Sequence, residues 1–321
     1  ICLAFLCSFF SLLIIRILLA AFCQGFATDL ACWSAWGERV NVTGTSAFYS
    51  NDYFCDYPPF YIYVLGILNK FTTLLNLNVH AVDFINKLPA VLCDMFIMAL
   101  IYITVSRLHG KKQGFLMSVI FALCPIFIYN SSVWGQIESV LLIFLLVSFL
   151  ELYRKNYLTA TLLFAVAVLI KPQGLLLTPV YIFEILSTKN KRTIAGCILW
   201  GYAIFMLLSL PFSPAWSESS GFWAFINALN PLWLIDKYLT TLSSYNFFTV
   251  NAFNLYGLLG LNWVSLEKLG IFSDIISASI IILAVAGGGY IYFKVKDRAS
   301  KLFLSAYFIL GFLYTFAFKM H

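Results

Sequence analysis

The chain has 321 residues, of which 62% are hydrophobic, 18% aromatic and 11% charged, with a mean hydropathy of +0.90. Soluble domains carry about 25% charged residues, so a soluble fold is excluded, and with it disorder, a coiled coil, a disulfide-rich module and a nucleic-acid binder. What is left is an all-α polytopic membrane protein, whose net charge of +6 has to be read by position.

A bilayer is crossed by about 20 apolar residues, and the first such run is 1–22. The segment 25–83 follows as a long first loop. In it Thr28 is placed to cap a helix, Asp29 falls in the first turn, and Trp33, Trp36 and Val40 follow at helical spacing. Tryptophans of this kind anchor at a membrane surface, so an interfacial helix is expected. Asp56-Tyr57-Pro58-Pro59 then precedes an apolar run, 57–75; Pro suits a first turn and Asp ahead of it suits a cap. Further spans are expected at 84–106, 114–129, 137–153, 157–170, 175–186, 193–210, 271–293 and 302–318. The two flanking Lys171-Pro172-Gln173 are short and are expected to turn inside the outer leaflet or a water-filled cavity.

Basic residues cluster at Arg107, Lys111 and Lys112; at Arg154 and Lys155; at Lys189, Lys191 and Arg192; and at Lys294, Lys296, Arg298 and Lys301. Cytoplasmic loops collect Lys and Arg. All four clusters fall inside if 57–75 lies at the interface rather than crossing. The loops 25–83, 130–136, 171–174, 212–270 and 319–321 then face outward. Cys23, Cys32 and Cys55 share the first loop, where one disulfide is open to them; no cysteine spacing suits a metal. The chain starts at Ile1 and stops at His321, which reads as a fragment lacking both ends of a single transmembrane domain, 1–321.

The outward loops gather carboxylates, amides, cations and aromatics: Asp29, Asp56 and Tyr57; Trp134, Gln136 and Glu138; Lys171 and Gln173; Asn251 and Asn254; and His321. The run Gly25-Phe26-Ala27-Thr28-Asp29 with Trp33 and Trp36, then Asp56-Tyr57-Pro58-Pro59, Trp134-Gly135-Gln136 and Lys171-Pro172-Gln173, resembles the GT-C superfamily of membrane glycosyltransferases. Within it the chain is most similar to bacterial relatives of the mannosyltransferase that adds the second mannose to GPI anchors. Its Asp-Tyr-Pro-Pro motif also resembles dolichyl-phosphate-glucose glucosyltransferases. Two departures stand out: Glu138 occupies a position where the family usually has Asp, and a Met-His-Glu-Arg-Tyr motif is cut after His321.

The resemblance implies a GT-C helical bundle. It also implies inverting transfer of a hexose, mannose by this likeness, from a polyprenyl-phosphate-sugar to a glycan, glycolipid or protein hydroxyl at the extracytoplasmic face. The setting is a bacterial cell membrane, or the endoplasmic reticulum if the source is eukaryotic. Such chemistry needs a base for the attacking hydroxyl and a cation for the departing phosphate. Asp29 is the base on this reading, against a plain role in a helix first turn. Asp56 and Tyr57 bind hydroxyls or start the next helix; Trp134 stacks on a sugar or marks the interface; Gln136, Glu138, Gln173, Asn251 and Asn254 supply polar contacts. Lys171 holds the donor phosphate or snorkels to headgroups. Arg16 joins it or forms a salt bridge to Asp94, and His321 adds a phosphate contact by family position. No cofactor or metal is expected, although a divalent ion between Asp29 and Glu138 stays open. The rivals are a transporter or lipid flippase lined by Arg16, Asp94 and Lys171, and a non-catalytic assembly partner. Asn41-Val42-Thr43 and Asn130-Ser131-Ser132 match the N-glycosylation pattern.

Overall fold

The computed structural model describes residues 1–50, 53–244, 246–252 and 254–318. In chain order the helices are α1 (Cys2–Phe22), α2 (Ala27–Thr43), α3 (Pro59–Leu74), α4 (Val79–His109), α5 (Lys111–Leu123), α6 (Pro125–Ile128), α7 (Glu138–Tyr153) and α8 (Tyr157–Ile170). They continue as α9 (Thr178–Ser187), α10 (Lys191–Ser209), α11 (Ala215–Glu218), α12 (Gly221–Ala228), α13 (Leu232–Ser244), α14 (Leu255–Leu258), α15 (Ile271–Lys294) and α16 (Arg298–Phe316). Among the described residues there is no strand, only two isolated bridges, Phe247 with Ser265 and Thr249 with Asn262.

Among the described residues five helical stretches are long and apolar enough to cross a bilayer: α1, α4, Lys191–Phe212, α15 and α16. Lys111–Leu123 and Pro125–Trp134 make a sixth if their 50° bend lies within one span. The chain is therefore a multi-pass integral membrane protein. Pro125 explains the bend, because it removes a backbone donor and forces Cys124 out of helical geometry, at ψ 119°. Nine spans were expected. Helices do form at 137–153, 157–170 and 175–186, but with 16, 14 and 10 residues they fall below crossing length. At 1.5 Å per residue α8 reaches only about 21 Å, against a hydrocarbon core of roughly 30 Å.

The chain divides into two compact units. The first contains Ile1–Val147, Leu169–Lys171 and Leu207–Leu229. Its apolar centre joins α1, α4 and α5 through Phe5, Leu12, Met95, Met98 and Ala122, with Phe5 stacked on Tyr102 at 3.9 Å. Across this centre runs a charged contact: Arg16 donates to Asp94 at 2.6 Å and to the Ala122 carbonyl at 2.9 Å, while Ser131 and Ser139 donate to Asp94 at 2.5 Å. A buried pair is costly unless its other polar atoms are also bonded, and here all but Arg16 Nε find a partner among the described residues.

The first loop folds into α2 and α3, packed face to face. A Cβ at Gly37 would sit 2.7 Å from the Leu65 carbonyl, and one at Gly66 would sit 2.8 Å from Val40. Small residues let helices approach closely, and Asn41 then donates across the seam to the Gly66 carbonyl at 2.9 Å and to Asn69 at 2.8 Å. Its amide is thus engaged in packing, which removes the glycosylation reading at Asn41. Trp33, Trp36 and Val40 do share one helical face. That face is buried in protein, however, with Trp33 and Trp36 only 2% and 3% exposed. The expected membrane anchors are core residues, because α3 and the loop before it cover them; Trp36 donates to the Phe54 carbonyl at 3.0 Å. The α2 cap position is Phe26, and Thr28 lies two residues beyond it, already inside the helix. Among the described residues Cys23, Cys32 and Cys55 form no disulfide.

The second unit contains Ser148–Val168, Pro172–Met206 and Asn230–His321. Here Gly287 and Gly288 bring α15 onto Phe308 and Ile309 of α16. Glu184 of α9 is a buried hub: it accepts from Arg298 and from the Tyr292 hydroxyl, each at 2.5 Å. Arg298 also caps the end of α7 through the Leu152 carbonyl at 2.9 Å, where the helix dipole favours a cation.

Candidate active site

The site lies in the first unit, at the start of α2. Gly25 has φ +79°, and a Cβ there would meet the Trp134 carbonyl at 2.8 Å. That close approach lets the Phe26 N–H donate to the same carbonyl at 2.9 Å. Trp134 ends a six-residue π-helical turn, Tyr129–Trp134, and Gly135 follows in the left-handed region at φ +95°. The N–H groups of Gly135 and Gln136 both donate to the Asn130 carbonyl, at 3.0 and 2.9 Å. Two glycines thus hold residues 134–136 against the first turn of α2.

The result is a continuous polar chain. Asp29 Oδ2 accepts from Trp134 Nε1 at 3.0 Å and from Gln136 Nε2. Gln136 Oε1 in turn accepts from Lys171 Nζ at 3.4 Å, and Lys171 donates to Glu138 Oε1 at 2.5 Å. The ammonium lies 5.3 Å above the ring of Tyr57, a cation–π distance. Lys171 is nearly buried, whereas the Glu138 side chain is 45% exposed. Burial pushes the Asp29 carboxyl above its ordinary value, against the pull of the Trp134 hydrogen bond and the Lys171 charge. Burial likewise raises the Tyr57 hydroxyl, and the negative charges of Glu138, Asp56 and Asp29 push it the same way. Asp29, Tyr57, Trp134, Gln136, Glu138 and Lys171 are therefore brought together, with half-buried Asp56 beside Tyr57. Asp56 does not cap α3; that cap is Pro58, with Pro59 opening the helix as its sequence suggests.

Other expected residues lie elsewhere. Arg16 is 1% exposed and committed to Asp94, so the salt-bridge alternative is the one observed and Arg16 is not a phosphate ligand at this site. Gln173 belongs to the second unit, in the 3-10 turn Pro172–Leu177, with a buried Oε1 that has no partner. Asn251 and Asn254 also belong there, and their contacts are structural. Asn251, at φ +56°, accepts from Trp263 at 3.1 Å, while Asn254 caps α14 through the Gly257 N–H at 3.0 Å. Asn254 thus serves its own backbone, as loop asparagines do, while its buried Nδ2 has no partner among the described residues. His321 lies outside the described residues. Among the described residues no three His, Cys, Asp or Glu side chains cluster as a metal site would require.

Two residues at the site escaped the sequence reading. Lys87 of α4 is fully buried; its ammonium donates to the Cys23 carbonyl at 2.5 Å and the Ala20 carbonyl at 3.3 Å, capping α1. Its stem passes beside both Gly25 and Gly135, within 3.0 and 3.1 Å of where their Cβ atoms would be. A lysine inside an apolar helix was the available signal, because intramembrane cations are costly unless paired. Tyr61 of α3 is also fully buried, with a hydroxyl that has no partner, one turn after Tyr57. An unsatisfied buried hydroxyl calls for an explanation.

With this geometry in place, comparison with known proteins is informative. The sequence profile of the family described as dolichyl-phosphate-mannose-protein mannosyltransferase matches residues 56–217, about half of the chain. A Saccharomyces cerevisiae protein, dolichyl pyrophosphate Glc1Man9GlcNAc2 alpha-1,3-glucosyltransferase, is 24% identical over 49% of this chain and 30% of its own length. The chain thus spans less than a third of that relative. Three of the four site segments, Asp56-Tyr57, Trp134 to Glu138 and Lys171, fall inside the family match, and Asp29 precedes it.

Proposed function

The chain belongs to the dolichyl-phosphate-mannose-protein mannosyltransferase family, a GT-C type of membrane glycosyltransferase, and from that premise we propose that it transfers a hexose from a polyprenyl-phosphate donor to a hydroxyl acceptor. The family description favours mannose and the yeast relative's name favours glucose, so the donor sugar is mannose on this reading, with glucose as the competitor to test. The acceptor is a glycan, glycolipid or protein hydroxyl. The site faces the extracytoplasmic side when the four basic clusters are placed inside.

The observation that carries this reading is the state of Asp29. Trp134 and Gln136 both bond to Oδ2, and no described residue bonds to Oδ1. One oxygen orients the carboxylate and the other is left for the acceptor. Asp29 takes the acceptor hydroxyl's proton as its oxygen attacks the anomeric carbon from the face opposite the phosphate. The bond from that carbon to the phosphate oxygen breaks, and the configuration inverts. Lys171 has three N–H groups and spends two on Gln136 and Glu138; the third meets the charge that builds on the leaving polyprenyl phosphate. Asp56, Tyr57 and Tyr61 supply contacts for sugar hydroxyls.

The test is to incubate membranes containing the protein with labelled polyprenyl-phosphate-mannose or polyprenyl-phosphate-glucose. Consumption of one donor by the wild type and of neither by Asp29→Asn is expected. Full turnover by Asp29→Asn would remove Asp29 as the base, and consumption of neither donor by the wild type would overturn the transfer reading.

A further inference from the structure

The second unit carries a groove of its own. It opens between the turn joining α7 to α8 and the first turns of α10, with a volume of about 520 Å³. Lys155, Tyr157, Arg192, Thr193, Gly196 and Trp200 line it. Three features give it a chemical character. The first is charge. Glu151, in the last turn of α7, is engaged by Arg154 and Asn156, each at 2.6 Å, which leaves Lys155 and Arg192 without an anionic partner among the described residues. The second is conformation. Lys155 sits at φ +67°, a left-handed position that favours glycine, so the chain keeps a cation here at a conformational cost. The third is space. An ideal Cβ at Gly196 would meet nothing within 4 Å, so this glycine keeps the groove open without serving any helix contact.

We propose that this groove binds the phosphate headgroup of an anionic membrane lipid, with Lys155 and Arg192 holding the phosphate and the glycerol and upper acyl chain running past Gly196 along Trp200. Charge complementarity selects the phosphate. The groove's size, within the roughly 300–1,000 Å³ of organic-ligand sites, exceeds what a bare ion needs. Continuity selects a lipid: Ile198, Leu199 and Trp200, exposed by 68%, 62% and 56%, carry the groove onto the outer surface of a membrane-crossing helix. Basic pockets between helix ends take up anionic headgroups by this chemistry, and tryptophan is suited to the headgroup level.

The experiment uses the full chain in detergent, delipidated and titrated with phosphatidylglycerol, phosphatidylcholine or soluble glycerol phosphate, with native mass spectrometry reading the adducts. Phosphatidylglycerol should bind with a defined stoichiometry. Each of Lys155→Ala and Arg192→Ala should weaken it about fivefold, from the usual contribution of one cation near an anionic surface. Gly196→Leu should abolish the adduct with an unchanged melting temperature, since its side chain enters open space. Equal retention of phosphatidylcholine, unaltered phosphatidylglycerol binding in Gly196→Leu and the double cation variant, or equally tight glycerol phosphate binding would each overturn the proposal.

Discussion

Two cation–carboxylate pairs in the first unit have almost the same length and opposite surroundings. Arg16 and Asp94 meet at 2.6 Å with side-chain exposures of 1% and 0%, while Lys171 and Glu138 meet at 2.5 Å with 11% and 45%. Around the first pair are helix core residues and two serines that bond to Asp94, with Arg16 Nε left buried and without a partner among the described residues. Around the second are an aromatic face, an amide and a carboxylate with one oxygen unclaimed. Length alone therefore says nothing about role. What separates a structural clamp from a reactive site is whether a further group could reach the charge, and only the second pair allows it.

Four measurements would break or sharpen that contrast. The largest effect is expected at the clamp. Asp94→Ala leaves the Arg16 guanidinium buried and unpaired, a loss of about 3–5 kcal/mol, readable as failure to insert stably or as a collapse of detergent-phase melting temperature. Replacing both partners by leucine should recover much of it; if Asp94→Ala melts like the wild type, the clamp is not one. At the reactive site, Asp29→Asn should lower transfer about 10²–10⁴-fold, the usual range for a general base, yet leave stability intact. The sign follows from burial. A carboxyl whose folded value is raised above 3.8 stabilises the fold when protonated, and that contribution is lost as pH rises through the folded value. At neutral pH the asparagine therefore melts at the same temperature or slightly higher. For the same reason, transfer by the wild type should fall on acidification at a pH above the ordinary carboxylate range; a profile flat down to pH 4 would contradict the base assignment.

Lys171→Met comes next, with donor KM raised roughly 10- to 100-fold, as expected for a lost hydrogen bond to a charged group, and little change in melting. A third pair calibrates the scale from below. Arg154 and Glu151 in the second unit also meet at 2.6 Å, but Arg154 is half exposed, so Arg154→Ala should cost at most about 1 kcal/mol. A loss as large as that of Asp94→Ala would mean that burial does not order these pairs.

Local chemistry was the legible part. The helix beginning near Asp29, the inward stripe of Trp33, Trp36 and Val40, the start of α3 at Pro58-Pro59 and the break at Lys171-Pro172 all follow from spacing and from what proline permits. What spacing cannot show is which surface covers a stripe. The tryptophans match both a membrane anchor and a core, and α3, far along the chain, decides for the core. Lys87 and Tyr61 were lost for a related reason: each looks ordinary in its own helix and gains meaning only from Cys23, Gly25 and Gly135, or from Tyr57 and Lys171. Asn254 shows the reverse, since a polar loop residue that resembles a ligand also serves its own backbone, here as the cap of α14. The number of spans was overestimated because an apolar run does not show where its helix stops, and α7, α8 and α9 stop at 16, 14 and 10 residues.

The amide of Gln136 gives the site a direction. Its nitrogen end can face only an acceptor and its oxygen end only a donor, so with Asp29 on one side and Lys171 on the other the side chain fits one way round. Because an amide neither gains nor loses a proton near neutral pH, it separates the negative and positive ends without letting them discharge into each other. A glutamate at position 136 would bridge the same gap but merge the two ends into a single acidic patch. The polarity that a proton acceptor and an anion holder must keep between them is thus set by an uncharged residue.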